Sequence, residues 1–386
     1  MKNQKLALFY LSQSLSNVYF WIAIAIPYLL YRGLTPTQAL SLIALYQLFG
    51  VFFEYPTGVI GDKFGYRKVT YFSNTLNLIA MLIMLMSGGY FLYLTALFFL
   101  ALGNGFSSGN DMGILKALST NIKKDTANYN ALMSLIIFFS AMIGGFISKF
   151  SYELALVISG VIMFSANIPL FLLRDGIKQV KSTRSLLTIA HDGIKSLSRQ
   201  ELRELFLITA LFGGFWFAIK SIIGSFDHIY HLNVDTIGTI IGVGGLFGAI
   251  GGKLYAEYPH IKSIYIVSSI SFSALVVGLF PQYLLSIGLL LFILLLFGYL
   301  MSKIDGDIHD LASDHIRASL FSLKRLIIRV VASSYLVLYG LALGTNQFTL
   351  MMIGTGITLF GTTLLSWSYL NRGKHDQIPY PAGLSR

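Results

Sequence analysis

The sequence predicts an all-α integral membrane protein with twelve transmembrane helices in two six-helix lobes. Three observations carry that prediction. Apolar residues make up 55% of the 386 positions and charged residues only 12%, a balance that suits a bilayer and not a soluble domain of this length. Apolar runs of roughly twenty residues, enough to cross hydrocarbon as a helix, recur from one end of the chain to the other. One long polar stretch, residues 174–203, divides them six and six.

Span 1 covers 6–30. It is too long for a secretory leader and has no small-residue cleavage site before the next span. It carries a polar stripe of Ser12, Gln13, Ser16 and Asn17, followed by Tyr19, Phe20 and Trp21. Span 2, at 38–61, holds Gln47 and Glu54 seven residues apart on one face. Span 3 runs over 69–87. Span 4, at 90–113, places Asn104, Ser107, Ser108 and Asp111 at i, i+3, i+4 and i+7, a single polar face. Spans 5 and 6 cover 127–149 and 152–173.

Span 7, at 204–225, carries Trp216 and Lys220, and Asp227 and His231 continue the same helical face beyond it. Span 8, at 236–256, contains "GVGGLFGAIGG", which helix packing explains better than a phosphate cradle. Spans 9 to 12 are expected at 263–280, 283–301, 325–344 and 347–370. The acid-rich "KIDGDIHDLASDHIR" after span 10 lacks calcium-loop spacing and is expected as a solvated loop meeting its basic neighbours. Arg325 and Arg329, at the start of span 11, are expected to snorkel to lipid phosphates.

The formal net charge of +11 does not signal nucleic acid. With the N-terminus inside and twelve crossings, all 28 Lys and Arg except Arg32, Lys149 and Lys220 fall at cytoplasmic ends or loops. That is the positive-inside distribution, and it puts both N- and C-termini in the cytoplasm. There is no cysteine, so disulfides and thiolate metal sites are excluded. "DHIYH" brings two histidines together without further strong ligands, and no metal or other cofactor is expected. No P-loop and no nucleophile–base arrangement occurs, so neither an ATP-driven pump on this chain nor an enzyme is expected.

The organisation follows: an N-terminal lobe at 1–173, a cytoplasmic amphipathic linker at 174–203, and a C-terminal lobe with a short tail at 204–386. Leu186, Leu187, Ile189, Ala190, Ile194 and Leu197 give the linker its apolar side. Gly58, Gly61 and Lys63 after span 2 are echoed by Gly248, Gly251 and Lys253 after span 8. Such an echo at equivalent places supports a pseudo-symmetric, duplicated architecture of the kind transporters use.

The charged knot "GVIGDKFGYRK", from Gly58 to Lys68, resembles the loop 2–3 signature of the major facilitator superfamily, through Gly58, Asp62, Lys63, Gly65, Arg67 and Lys68. Span number and the six–six division extend the resemblance over the whole chain. "FEYPTG", "GNGFSSGND" and "IRASLFSL" look like a branch of bacterial exporters within it. Span 4 lacks the Arg, and span 5 the Gly-Pro, that drug–proton antiporters of the superfamily often carry. The resemblance implies a major facilitator fold in a plasma (inner) membrane. It also implies a cytoplasmic latch in which Asp62 meets the N-terminus of span 11 and complements its dipole, with Arg67 and Lys68 pairing with carboxylates or lipid phosphates. The competing reading is a solvated, topogenic loop.

Ionisable residues inside a membrane are costly and mark candidate sites. Glu54 lies eight residues before Asp62, roughly 12 Å up the helix. It is either a proton-coupling carboxyl or a packing acid. Asp111 is either a coupling group on a cavity-facing stripe or a partner of Lys116 and the Arg67/Lys68 loop. Lys220 either holds an anionic group of a substrate or pairs with Asp227. The substrate-cavity candidates are Gln13, Asn17, Gln47, Asn104, Ser108, Trp216, Lys220 and Asp227. The function expected is secondary active transport, as proton-coupled efflux of drug-like, peptide-like or metabolite substrates. The alternatives are a proton-coupled importer of a small polar solute and a lipid flippase or sensor. The partners expected are a small-molecule or peptide substrate, protons and membrane lipids, with no nucleic acid, for a monomer.

Overall fold

The computed structural model describes residues 2–86, 88–107, 110–119, 122–173, 200–311, 314–366 and 370. Within these, positions 2–3, 54–59, 61–63, 112–113, 116, 122–124, 126–127, 130, 201, 309–311, 314–319 and 322 are described by backbone alone. The linker expected at 174–203 lies almost wholly outside the described residues.

Every regular element described is helical. The first group comprises α1 (Lys2–Ser16), α2 (Trp21–Tyr31), α3 (Pro36–Phe64), α4 (Tyr66–Leu85), α5 (Tyr90–Ser107), α6 (Asn110–Leu118), α7 (Ile122–Ser148), α8 (Tyr152–Ser165) and α9 (Asn167–Leu172). The second comprises α10 (Gln200–Gly224), α11 (Phe226–Tyr230), α12 (Val234–Glu257), α13 (Ser263–Leu279), α14 (Tyr283–Leu311), α15 (Asp314–Gly344) and α16 (Phe348–Leu365). Eleven of the described helical segments are long and apolar enough to cross a membrane. α13 is apolar but shorter, at 17 residues. The chain is a multi-pass membrane protein.

The first span is not one helix. α1 ends at Ser16 and α2 begins at Trp21. The break survives in an apolar setting because its backbone groups find partners. Asn17 Nδ2 donates to the Gln13 carbonyl at 2.8 Å. Ser159 of α8 donates to the Val18 carbonyl at 2.9 Å and accepts from the Phe20 amide at 3.3 Å. At the other end of α3, Gly65 joins α3 to α4 with φ at +98°, a conformation glycine adopts without steric cost.

The stretch expected as a solvated acidic loop is helical instead: α14 continues to Leu311 and α15 starts at Asp314. Two of its acids meet cations. Lys303 pairs with Asp307 one turn on at 3.5 Å, and Lys324 of α15 pairs with Asp305.

Two seams join the groups. Along α3 and α15, the Thr37 hydroxyl donates to the Gly340 carbonyl at 2.7 Å, and Ser333 donates to the Ala44 carbonyl at 3.1 Å. Along α7 and α12, backbones meet at glycine. A Cβ on Gly238 would lie 2.6 Å from the Ala141 carbonyl oxygen and 2.9 Å from the Gly145 Cα. Close approach of this kind needs residues without side chains. Beside it Lys149 pairs with Asp235 at 3.3 Å. These contacts use the first half of α3, the last half of α7, the first half of α12 and the last half of α15, so they lie at one end of the bundle. Further along span 8, Gly248 and Gly251 serve the packing expected of them, lying against Gly298 and Leu295 of α14, whereas Gly245 faces open space.

Candidate functional site

Just inside the joined end, a cavity of about 190 Å³ opens between the groups. The break in span 1 and α2 supply Tyr19, Trp21, Ile22 and Ala25. α3 supplies Ile43, Tyr46 and Gln47, and α10 supplies Trp216, Phe217, Lys220 and Ser221. The spacings on α3 and α10 are those of a single helical face. The break matters because it carries Tyr19 into the lining. Tyr46 is fixed from behind: Asn104 Nδ2 of α5 donates to its hydroxyl oxygen at 2.7 Å.

The polar floor comes from both groups. Gln47 is buried, and its Oε1 accepts from Arg329 Nη1 of α15 at 3.2 Å. The guanidinium lies 5.9 Å from the Phe217 ring centre, within cation–π range. It fits because residue 50 is glycine; a Cβ there would stand 2.3 Å from Nη1. Arg329 therefore turns inward across the seam, where snorkelling to phosphate was expected. It sits four residues further into span 11 than Arg325, within reach of the Gln47 amide and the Phe217 ring.

Lys220 lines the same cavity and forms no ion pair or hydrogen bond among the described residues. The Lys220–Asp227 pair that the sequence favoured does not form. The pairing needs an unbroken helix to keep both residues on one face, but α10 ends at Gly224 and the chain turns at Ser225. Asp227 lies instead in the electrostatic reach of Tyr152, His228 and His231. Burial raises its carboxyl above the ordinary value, and the two histidines partly offset this.

Of the sequence candidates, the cavity brings together Gln47, Trp216 and Lys220, with Asn104 one layer behind. Gln13 and Asn17 lie at the span 1 break; the Gln13 amide is buried, and neither of its polar atoms is bonded among the described residues. Asp111 accepts from the Tyr129 hydroxyl of α7 at 2.7 Å, turned toward a cluster containing Phe9, Ile114 and Leu115. Arg67 donates to the Leu173 carbonyl at 3.3 Å, inside its own group, and Lys68 is exposed. Ser108 lies outside the described residues. Glu54, Gly58, Asp62 and Lys63 lie on the α3 backbone, with their side chains outside the described ones. Tyr46, Phe217 and Arg329 were missed by sequence reasoning. The one available signal was the depth of Arg329 in its span. Among the described residues no group of three His, Asp or Glu is placed to hold a metal ion.

Helical groups joined at one end around an aromatic, cation-bearing cavity define a membrane transporter. The chain belongs to the Major Facilitator Superfamily, whose family model matches residues 6–323, and this is a family of transporters and not of enzymes. No curated protein sequence matches it. Solved structures share the fold at low identity. The nucleoside transporter NupG superposes with a TM-score of 0.75 at 12% identity, covering 96% of this chain and 99% of its own. A POT family transporter in complex with 5-aminolevulinic acid gives 0.74 at 14%, covering 95% and 96%. A bacterial homolog of the human lysosomal transporter Spinster, in an inward-facing and unoccupied conformation, gives 0.73 at 12%, covering 96% and 97%.

Proposed function

We propose that this protein is a proton-coupled importer of a small polar solute, working by alternating access between two six-helix lobes in the inner membrane. The observation that carries the reading is the cavity shared by α2, α3 and α10 beneath a seam that joins the groups at one end. With both termini inside, as the cation distribution argues, the joined end faces outward and this state is open to the cytoplasm. Closing the other end, where Asp62 and span 11 form the latch, would reverse access. Glu54 and Asp111 are the proton-coupling candidates.

Uptake of a polar solute is supported by the company the fold keeps: a nucleoside transporter and transporters with bound 5-aminolevulinic acid or peptide conjugate. The efflux reading keeps one specific support, the aromatic lining by Tyr19, Trp21, Tyr46, Trp216 and Phe217, which suits adaptable apolar ligands. Purified protein in vesicles separates the two. A panel of nucleosides, short peptides and 5-aminolevulinate is offered outside right-side-out vesicles with an acidic exterior. Accumulation that collapses with an uncoupler supports the importer. Extrusion from preloaded vesicles under the same gradient, with no accumulation, replaces it with the exporter.

A further inference from the structure

We propose that the solute is an organic carboxylate with a planar ring, its carboxylate held by Lys220 and its ring by the aromatic walls. This rests on the transporter reading and names the chemistry of its cavity.

An ammonium group removed from bulk water is costly without a counter-charge. Lys220 has no ion pair or hydrogen bond among the described residues, and no carboxylate is among those lining its cavity. Asp227, the nearest acid along the chain, is turned away by the break at Ser225. Among the described residues nothing meets the site's electrostatic demand, which leaves it to the solute. Arg329 stands behind the wall, donating to Gln47, which lines the same cavity. An aromatic box alone would attract cations, but a cationic ligand would here meet Lys220 with Arg329 behind it. A neutral ligand would leave the ammonium uncompensated. Trp21 of α2 and Trp216 of α10, both lining the cavity, offer flat apolar surface for a ring.

The test uses three ligands with one ring and different charge: indole-3-acetate, indole-3-acetamide and tryptamine, radiolabelled, in equilibrium dialysis with the full-length protein in nanodiscs. Indole-3-acetate is expected to bind about tenfold or more tightly than the amide, as a charge-assisted contact gives, and tryptamine more weakly than either. Lys220→Met should bring indole-3-acetate down to the level of the amide while amide binding persists, which shows the cavity is intact. Lys220→Arg should keep most of the preference. Equal binding of acetate and amide by the wild type, an undiminished preference in Lys220→Met, or binding of none of the three overturns the inference. Counterflow in vesicles keeps the two readings apart. Anion-selective binding without counterflow removes the transport reading and leaves this one. Counterflow of a neutral solute, with no anion preference, does the reverse.

Discussion

Arg329 of α15 crosses between the helical groups to donate to Gln47 of α3 at 3.2 Å, passing through space that only glycine at position 50 leaves open. One side chain thus links the seam to the cavity wall.

Breaking this link should be measurable as a coupling energy. A double-mutant cycle of Gln47→Ala and Arg329→Ala should return about 1.5–3 kcal/mol, as for a hydrogen bond to a charged group. Gly50→Ala should reproduce most of the loss with both partner residues kept, because its Cβ displaces the flexible end of Arg329 and meets no backbone. Thermal unfolding in detergent checks both. Additivity of the two single changes would show that the contact carries no coupling.

The glycine contact should outweigh the neighbouring ion pair in holding the seam. Lys149 and Asp235 are partly exposed, at 52% and 28%, and exposed pairs contribute about 0–1 kcal/mol. Lys149→Gln should therefore move the state populations by about fivefold at most. Gly238→Val places a side chain against the Ala141 carbonyl, where backbone must move, and should abolish the joined state. Distances between spin labels on the last turn of α7 and the first turn of α12 read both variants.

Asp227 supplies a pH dependence whose sign is fixed. Its folded carboxyl is raised by burial above the ordinary value of 3.8. A group raised on folding stabilises fully below its unfolded value, and that stability is lost as pH rises through the folded value. Asn carries no such loss. The apparent melting temperature of Asp227→Asn should exceed that of the wild type by more at pH 8 than at pH 4. A difference that does not change with pH would assign the effect to packing.

Glu54→Gln should abolish gradient-driven accumulation and spare downhill exchange, since removing a titrating group leaves the cavity in place. Uphill transport at the wild-type rate in this variant would remove Glu54 from coupling.

Asp62→Asn should favour the state joined at the outer end. Loss of a charge-assisted contact to a helix N-terminus costs about 1–3 kcal/mol, or roughly a ten- to hundred-fold shift between two states. Lys63→Gln should do much less. Label distances between the cytoplasmic ends of α3 and α15 that stay the same in Asp62→Asn would leave the motif as a topogenic loop.

The sequence by itself determined the helical class, the multi-pass character and the family. Span length, apolar content and the Gly58–Lys68 motif are local properties, readable wherever they stand in the chain. It also placed Gln47, Trp216 and Lys220 among the cavity candidates, because a polar or charged residue in a greasy span seldom faces lipid. Tertiary structure alone decided what those residues meet. Helix rotation and tilt are set by packing partners, not by composition. The turn at Ser225 separates Lys220 from Asp227 although their spacing is that of one face. The absence of a side chain at Gly50, on another helix 279 positions away in the chain, gives Arg329 room to reach Gln47 instead of lipid phosphate. Periodicity describes one helix at a time, whereas a cavity belongs to the surfaces of several, and their alignment is fixed only when glycines such as Gly145 and Gly238 lock the backbones together.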